Sequence, residues 1–201
     1  MIKKVLVSQP APTTEKSPYH DIAQNLGVEF TFQPFVKVEG LEAREFRSQK
    51  VNILDHTAIV FNSRNAIEHF FHLCKELRVT LPEDMKYFGI SEKVILYIQK
   101  FVQYRKRKVF FGSSGHWPEL LTVMAKHKTE KYLFPLSEGT SLEIAGQLDQ
   151  KKIKHTECAM LRTVQADLDE DTFKNYDMIL IFTPVVLQSL QRNFPNINQG
   201  E

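Results

Sequence analysis

Residues Thr57–Phe71, TAIVFNSRNAIEHFF, decide the fold because they combine a buried strand with the start of an amphipathic helix. The run from Thr57 to Phe61 is β-branched and aromatic, which is typical of a strand buried on both faces of a parallel sheet. Ser63 can cap the following helix, since its hydroxyl can accept a hydrogen bond from a free backbone N–H. In an open α/β sheet, such a strand, loop and helix N-terminus form a ligand site at the carboxyl end of the strand.

The same pattern returns near the end of the chain, between Tyr176 and Leu190. There Asp177 precedes an apolar run and Thr183 ends it. Pro184 stands at the first position of the predicted helix, where its missing N–H costs nothing. Two such units in one chain suggest two similar α/β domains that face each other.

Predicted strands and helices alternate along the whole sequence, which is the signature of parallel α/β sheets. Two segments need a specific prediction. The charged segment 37–48 is expected to be a linker with a short helix at its end. The junction 137–138 is expected to open a helix that carries Leu142, Ile144 and Leu148.

The composition narrows the class of protein. A formal net charge of +2 is too small to argue for nucleic-acid binding, although it is compatible with an acidic small molecule. No run approaches the ~20 apolar residues of a membrane span. The chain also enters a strand at once, without a signal-peptide core. We therefore expect a cytoplasmic protein with neither a membrane nor a nucleic-acid partner.

The sequence lacks the usual motifs for metals and cofactors. Cys74 and Cys158 lie in apolar contexts, and no cysteine or histidine pair has the spacing of zinc ligands. The chain has no glycine-rich nucleotide fingerprint and no nucleophile elbow. The loop Gly112–Gly115 can cradle a phosphate, but an ordinary loop is the favoured interpretation. We therefore expect no metal and no cofactor.

Five predicted strands end at a hydroxyl residue, namely Ser8, Ser63, Ser91, Ser137 and Thr183. Each of them taken alone is best explained as a helix cap. Together they lie at the carboxyl ends of predicted parallel strands, where such sheets bind ligands. A cleft lined by these neutral donors suits a polyanion, because each charge-assisted hydrogen bond adds about 1.5–3 kcal/mol.

A set of short motifs, spread nearly from end to end, carries a family resemblance. The motifs are Val5–Pro10, Lys16–Tyr19, Pro34–Phe35, Val38–Gly40, Asn52–Ala58, Phe61–Ala66, Pro82–Phe88, Gln103–Lys108, Tyr176–Asp177 and Phe182–Pro184. Each motif is weak alone, but together in this order they are fairly specific. On these residues, the chain resembles the uroporphyrinogen-III synthase family, in the form found in Bacteroidetes-type bacteria.

The resemblance implies a domain organisation. It implies two parallel-sheet α/β domains of the HemD type, built from flavodoxin-like units, with the second domain inserted into the first through a two-stranded linker. The first domain is then expected at residues 1–36 and 166–201, and the inserted domain at residues 37–165. Because the family continues beyond the position of Glu201, the first domain is expected to be incomplete.

The resemblance also implies an activity. The family cyclises the linear tetrapyrrole hydroxymethylbilane, inverts its D ring and loses water, which gives uroporphyrinogen III in haem biosynthesis. It does so without a metal or an organic cofactor. Catalysis in this family looks like shaping and positioning of the substrate. We accordingly expect a monomeric lyase that binds a polyanionic tetrapyrrole.

The site residues follow from the same resemblance. Carried over by position, the resemblance implies that the carboxylates of the substrate are contacted by Ser63, Ser91, Ser137 and Thr183. The substrate-binding set that we predict also includes Ser8, Asn62 and Gly112. Where the family commonly has a tyrosine thought to assist loss of the hydroxyl, this chain has Leu161, which cannot exchange a proton. The catalytic residue is therefore unknown, and impaired activity is expected. The alternative hypothesis is a non-catalytic tetrapyrrole-binding or interaction module derived from this family.

Overall fold

The structure, a computed structural model, describes residues 2–13, 17–169 and 173–194, in which strands and helices alternate. The strands are β1 Lys4–Val7, β2 Glu29–Phe32, β3 Val36–Gly40, β4 Ala58–Phe61, β5 Lys86–Gly89, β6 Val109–Phe111, β7 Tyr132–Ser137, β8 His155–Gln165 and β9 Met178–Leu180. The helices are α1 Pro18–Leu26, α2 Ala43–Ser48, α3 Arg64–Glu76, α4 Glu92–Ile95, α5 Trp117–Met124, α6 Ala145–Gln150 and α7 Pro184–Asn193. Short 3₁₀ turns lie at Ile53–Asp55, Leu96–Lys100, Lys106–Lys108 and Ala125–His127.

The chain divides into two compact units. Unit 1 comprises residues 1–37 and 163–201, and unit 2 comprises residues 38–162. The three-stranded sheet has the order β2-β1-β9, and the six-stranded sheet has the order β3-β8-β7-β4-β5-β6. β1 is parallel to β2 and to β9, and β8, β7, β4, β5 and β6 are parallel to their neighbours in the second sheet. The expected α/β fold with parallel sheets is therefore confirmed.

Strand β4 explains why unit 2 is layered. Its four residues are all buried, and successive side chains of a strand point to opposite faces of the sheet. Ile59 and Phe61 join the core cluster that includes the buried residues of α3. Ala58 and Val60 join a second cluster that includes the buried residues of α5 and α6. The prediction of a strand buried on both faces is therefore confirmed, because helices cover both sides of the sheet.

Unit 1 has a small core of its own around β1. Leu6 packs there with Phe35, Val186 and Leu190, which places α7 against the sheet. The carboxylate of Asp177 accepts hydrogen bonds from the backbone N–H groups of residues 3 and 4, at 2.8 and 2.9 Å, and so ties the start of β9 to β1. Strand β9 is therefore fixed next to β1 by a side chain as well as by the sheet ladder.

Two predicted segments are different in the structure. In the segment 37–48 the expected short helix is confirmed as α2, but residues 37–40 belong to strand β3 instead of a linker, and the chain is held to β8 by the Leu41 N–H, which donates to the Met160 carbonyl at 2.9 Å. The helix expected from residue 138 begins only at Ala145. Gly139 is in the left-handed region, with φ of 75°, which interrupts any helix at that point. Residues 138–144 are consequently a loop.

The described helices carry no membrane-spanning segment. Within residues 2–13, 17–169 and 173–194, no helix is long and apolar enough to cross a bilayer.

Candidate functional site

One edge of the six-stranded sheet collects the carboxyl ends of five parallel strands. Because β4 to β8 run in the same direction, the residues that follow these ends lie along one edge. Asn62 and Ser63 follow β4, Ser91 follows β5 and Gly112 follows β6, while Ser137 is the last residue of β7. The topology thus places five of the seven predicted substrate-binding residues at one edge of unit 2.

A pocket of about 290 Å³ lies at this edge, and we call it the carboxyl-edge pocket. Its lining residues are Asn62, Ser63, Trp117, Leu136, Ser137, Thr140, Ser141, Leu142, Glu143 and Leu161. Most of the polar groups among them are neutral hydroxyls and an amide, and Glu143 is the single carboxylate among the described residues of this lining. Neutral donors beside an apolar wall can bind a carboxylate without a compensating cation.

Ser63 can combine a structural role with a binding role. It is the N-cap of α3, with extended backbone, and its Oγ accepts a hydrogen bond from the Ala66 N–H at 3.1 Å. A hydroxyl that accepts one hydrogen bond still has its own O–H to donate. The capping prediction for Ser63 is confirmed, and its hydroxyl hydrogen is available to a ligand in the carboxyl-edge pocket.

An irregularity in the sheet brings Ser137 and Leu161 together. The β7–β8 register shifts between Leu136 and Ser137, so that Leu136 pairs with Ala159 but Ser137 pairs with Leu161. Such bulges change the direction of side chains and occur often beside functional sites. The Glu138 N–H donates to the Leu161 carbonyl at 2.7 Å, which fixes this arrangement.

The loop of residues 138–144 forms a fixed wall of the pocket. The Thr140 N–H and hydroxyl both donate to the Ser137 carbonyl, at 3.1 and 2.5 Å. Further along, the Leu142 N–H donates to the carboxylate of Glu157 on β8 at 3.0 Å. The side chains of Leu142 and Ile144 are buried in the core. The loop is therefore well anchored, and the Thr140 hydroxyl hydrogen serves this anchoring.

The nearest cation to Leu161 along the chain is already paired. The guanidinium of Arg162 forms an ion pair with Glu45 and lies 3.9 Å from a carboxylate oxygen of Glu138. The hydrogen bond from Arg162 lowers the pKa of Glu45, and the same bond raises the pKa of Arg162. The charge of Arg162 is therefore balanced by two carboxylates of the protein. The donors that the lining itself offers to an anion are neutral.

Two predicted residues at this edge do not line the carboxyl-edge pocket. Ser91 caps α4, since its Oγ accepts a hydrogen bond from the Val94 N–H at 3.4 Å, which confirms its predicted capping role. Gly112 is buried where two backbones meet, and a Cβ there would lie 2.8 Å from the Ile90 carbonyl oxygen and 3.2 Å from the Leu120 nitrogen. A close backbone approach therefore explains this glycine.

None of the three other hydroxyl residues makes a side-chain capping hydrogen bond. Ser8 is buried, and its N–H and hydroxyl both donate to the Leu180 carbonyl, at 3.1 and 2.7 Å. Thr183 occupies the N-cap position of α7 and is exposed, but its side chain makes no capping hydrogen bond. Ser137 ends a strand and is followed by a loop. The capping prediction is wrong at Ser8 and Ser137, because no helix follows them directly, whereas at Thr183 the predicted N-cap position is correct and only the side-chain hydrogen bond is absent.

Several lining residues were not predicted from the sequence. Trp117, Thr140, Ser141 and Glu143 line the carboxyl-edge pocket together with the predicted residues. The signal that could have identified Thr140 and Ser141 is the run Gly139-Thr-Ser141, since glycine followed by hydroxyl residues indicates a turn rather than a helix. Trp117 and Glu143 carry no such local signal.

The described part of the chain offers no obvious metal centre. Within the ranges given above, no group of three or more histidine, cysteine or carboxylate side chains is arranged to hold a metal ion. The thiols of Cys74 and Cys158 are buried, and burial raises the pKa of each to about 12, so neither is a reactive thiolate at neutral pH.

Comparison with known proteins gives one family. The sequence model of the family described as Uroporphyrinogen-III synthase HemD matches residues 17–201. A search of curated proteins gave no significant match.

Solved structures of two bacterial proteins are similar to this chain. One is a mutant uroporphyrinogen III synthase from the extremely thermophilic bacterium Thermus thermophilus, with a TM-score of 0.56 and 13% identity, covering 95% of this chain and 77% of that chain. Another is the uroporphyrinogen-III synthetase from Helicobacter pylori 26695, with a TM-score of 0.56 and 10% identity, covering 96% and 79%. At these identities the likeness shows a shared fold.

Proposed function

Since the chain belongs to the uroporphyrinogen-III synthase HemD family, whose enzymes are cyclising lyases of haem biosynthesis, we propose that its substrate is hydroxymethylbilane. The reaction closes the linear tetrapyrrole, inverts its D ring and releases water. The alternative of a non-catalytic tetrapyrrole-binding module is not favoured, because the family match extends over residues 17–201. This match includes the segments that build the carboxyl-edge pocket.

The observation that carries the proposed substrate is the chemistry of the carboxyl-edge pocket. Asn62, Ser63 and Ser137 present an amide and two hydroxyls to one cavity at the ligand-binding edge of a parallel sheet. These groups are the donors that a carboxylate accepts, and each such hydrogen bond adds about 1.5–3 kcal/mol. We propose that they bind acidic side chains of the tetrapyrrole.

The size of the pocket limits how much substrate it can hold. A volume of about 290 Å³ lies just below the ~300–1,000 Å³ range of small-molecule sites, so the pocket accommodates one part of a linear tetrapyrrole. We propose Ser91 and Thr183 as further carboxylate contacts, because each has a hydroxyl at the start of a helix. Ser8 is a weaker candidate, since its hydroxyl hydrogen is donated to Leu180.

Catalysis then rests on positioning rather than on a protein acid. Leu161 lies in the pocket and is almost fully buried, with 6% of its surface exposed, and its side chain cannot supply a proton to the leaving hydroxyl. Holding the reacting ends of a chain together can contribute about 7–11 kcal/mol when the geometry is correct. We propose that this contribution replaces the tyrosine that the family commonly has, with water as the proton source.

The remaining expectations are part of the same proposal. The two units would be the two domains of the family, with residues 37–165 inserted between residues 1–36 and 166–201. The enzyme would act as a monomer in the cytoplasm on a soluble substrate and without a nucleic-acid partner. The family match supports the tetrapyrrole substrate, and the division of the chain into units 1–37 with 163–201 and 38–162 supports the inserted domain.

A product analysis tests the proposed function. The full chain is incubated with hydroxymethylbilane generated enzymatically, and the oxidised products are separated into type I and type III isomers. The proposal predicts type III uroporphyrin above the level of a reaction without this protein. A product that is entirely type I, at the rate of the protein-free control, would exclude the enzyme.

A further inference from the structure

A second pocket lies at the opposite edge of the six-stranded sheet, where its strands begin. This cavity of about 360 Å³, which we call the amino-edge pocket, is lined by basic and other polar side chains. The residues that matter for the argument are Lys50, Asp55, His56, Lys131, Lys154 and His155. Strand β7 has six residues, so the two pockets are separated by roughly 17 Å along it.

The strand register brings two of these lysines together. Tyr132 pairs with His155 in the β7–β8 ladder, so the residues that precede them, Lys131 and Lys154, begin neighbouring strands. The Lys154 carbonyl accepts a hydrogen bond from the Tyr132 N–H at 2.9 Å, which fixes this alignment. Neighbouring strands are about 4.8 Å apart. The backbone therefore places two exposed, like-charged side chains at neighbouring positions, an arrangement that an anion would stabilise.

The lysines of the amino-edge pocket form no ion pair with a carboxylate of the described residues, although His155 Nδ1 lies 3.9 Å from Asp149. Among the described residues, no carboxylate lies within ion-pair distance of Lys50, Lys131 or Lys154, in contrast to Lys86, which pairs with a glutamate. The carboxylate of Asp55 is within the pocket but accepts a hydrogen bond from the Asn52 amide at 2.8 Å. The lysines and aspartates among the described residues of this lining are therefore three exposed lysines and one aspartate.

Two histidines add further polar groups with fixed orientation. His56 Nδ1 lies 3.0 Å from the Asn52 carbonyl oxygen, and His155 Nδ1 lies 3.2 Å from the Ile153 carbonyl oxygen. A carbonyl only accepts, so Nδ1 carries the hydrogen in both rings. The Nε2 atom of a neutral ring is then an acceptor and does not bind an anion, so the lysines carry the attraction. His56 is buried, which limits its motion.

We propose that the amino-edge pocket binds a compact anion of the phosphate class. Lysine ammonium groups bind phosphate as point charges, whereas planar carboxylates are best matched by the fork of an arginine, and no arginine of the described segments lines this pocket. The cavity of about 360 Å³ is large enough for inorganic phosphate or pyrophosphate. This site is separate from the substrate pocket and extends the activity proposed above.

The test is a titration of the full, ¹⁵N-labelled chain with pyrophosphate at constant ionic strength. Saturable shifts are expected for the backbone N–H signals of residues 131–132 and 154–155. The double variant Lys131→Gln/Lys154→Gln is expected to raise the dissociation constant at least tenfold. The matched control Lys93→Gln/Lys106→Gln removes the same charge from two exposed lysines that do not line the pocket, and it is expected to bind as the parent does.

Three results would overturn the proposal. The first is a titration without saturable shifts. The second is a loss of affinity in the control variant that equals the loss in the Lys131→Gln/Lys154→Gln variant, which would indicate general electrostatic attraction. A parallel titration with citrate tests the ligand class. Citrate binding as tight as pyrophosphate binding would exclude a phosphate site. In both double variants, exposed lysines are replaced by neutral glutamines of similar length. Unchanged signals elsewhere in the spectrum verify that each variant is folded.

Discussion

Replacing Ser63 by aspartate separates its role as a helix cap from its proposed role as a donor. Aspartate is as good an N-cap as serine, so the hydrogen bond from the Ala66 N–H is expected to persist and the free energy of unfolding to change by less than about 0.5 kcal/mol. Its carboxylate cannot donate to a substrate carboxylate. The loss of that bond costs about 1.5–3 kcal/mol, and like-charge repulsion at 4 Å adds about 1 kcal/mol even in water.

The two contributions together predict a large kinetic effect. A loss of about 2.5–4 kcal/mol corresponds to a fall in kcat/KM of roughly 10²- to 10³-fold, at about 1.4 kcal/mol per tenfold. The assay measures formation of type III uroporphyrin from hydroxymethylbilane, with urea unfolding of the same samples. Ser63→Asn is the matched control, because asparagine caps equally well, is neutral and retains an N–H donor. The reasoning is refuted if Ser63→Asp and Ser63→Asn have the same kcat/KM.

Three further predictions address catalysis, packing and pH. Leu161→Tyr places a hydroxyl in the carboxyl-edge pocket and is expected to raise kcat at least tenfold. The control Leu161→Phe lacks the hydroxyl and is expected to leave kcat unchanged. Equal kcat values for the two variants would show that a proton donor is not needed there. Gly112→Ala is expected to lower the free energy of unfolding by about 1–3 kcal/mol, because its Cβ meets backbone atoms. Gly146→Ala lies in a helix with open space around it and is expected to raise the free energy of unfolding by about 0.5–1 kcal/mol. Urea titrations that give the same sign for both variants would contradict this account. The backbone N–H groups of Lys4 and Lys3 lower the pKa of Asp177 in the folded chain, so its contribution to stability is complete above the unfolded pKa of about 3.9 and is lost as pH falls through the lower folded pKa. The urea midpoint of Asp177→Asn should therefore lie below that of the parent at pH 7 and converge with it in acid. A gap between the two midpoints that stays constant with pH would rule this out.

The fold was predictable where the decisive signal is local. The continuous apolar run of β4 has no polar position at which one face of the sheet could meet water, and the structure accordingly covers both faces. The capping roles of Ser63 and Ser91 follow from one hydroxyl directly before a helix. Strand β3 was not predictable from its charged surroundings, because its place in the sheet comes from its neighbour β8, which is distant in sequence.

The candidate site shows the same division between local and long-range causes. Ser137 was predicted at the correct edge, because it ends a strand of a parallel sheet. Its partner Leu161 comes into the same pocket through a register shift, and a register shift depends on both strands together. The apolar spacing of Leu142 and Leu148 suggested a helix from residue 138, but these residues reach the core from a loop and from α6 respectively. Periodicity alone does not distinguish these two routes to burial.

The two edges of one sheet differ in the kind of charge chemistry that they offer. A polyanionic substrate would be attracted to the lysines of the amino-edge pocket, yet the helix N-termini and strand ends that bind ligands in parallel sheets lie at the opposite edge. There, the guanidinium of Arg162 is held by Glu45 and Glu138, so under the proposed function directional hydroxyl and amide donors would carry the binding. Directional donors orient a carboxylate, whereas a flexible ammonium group fixes its orientation less strictly. A reaction that depends on placing two ends of one chain together requires such orientation. The neutral edge is therefore the better place for ring closure, although the lysine-rich edge has the stronger electrostatic attraction.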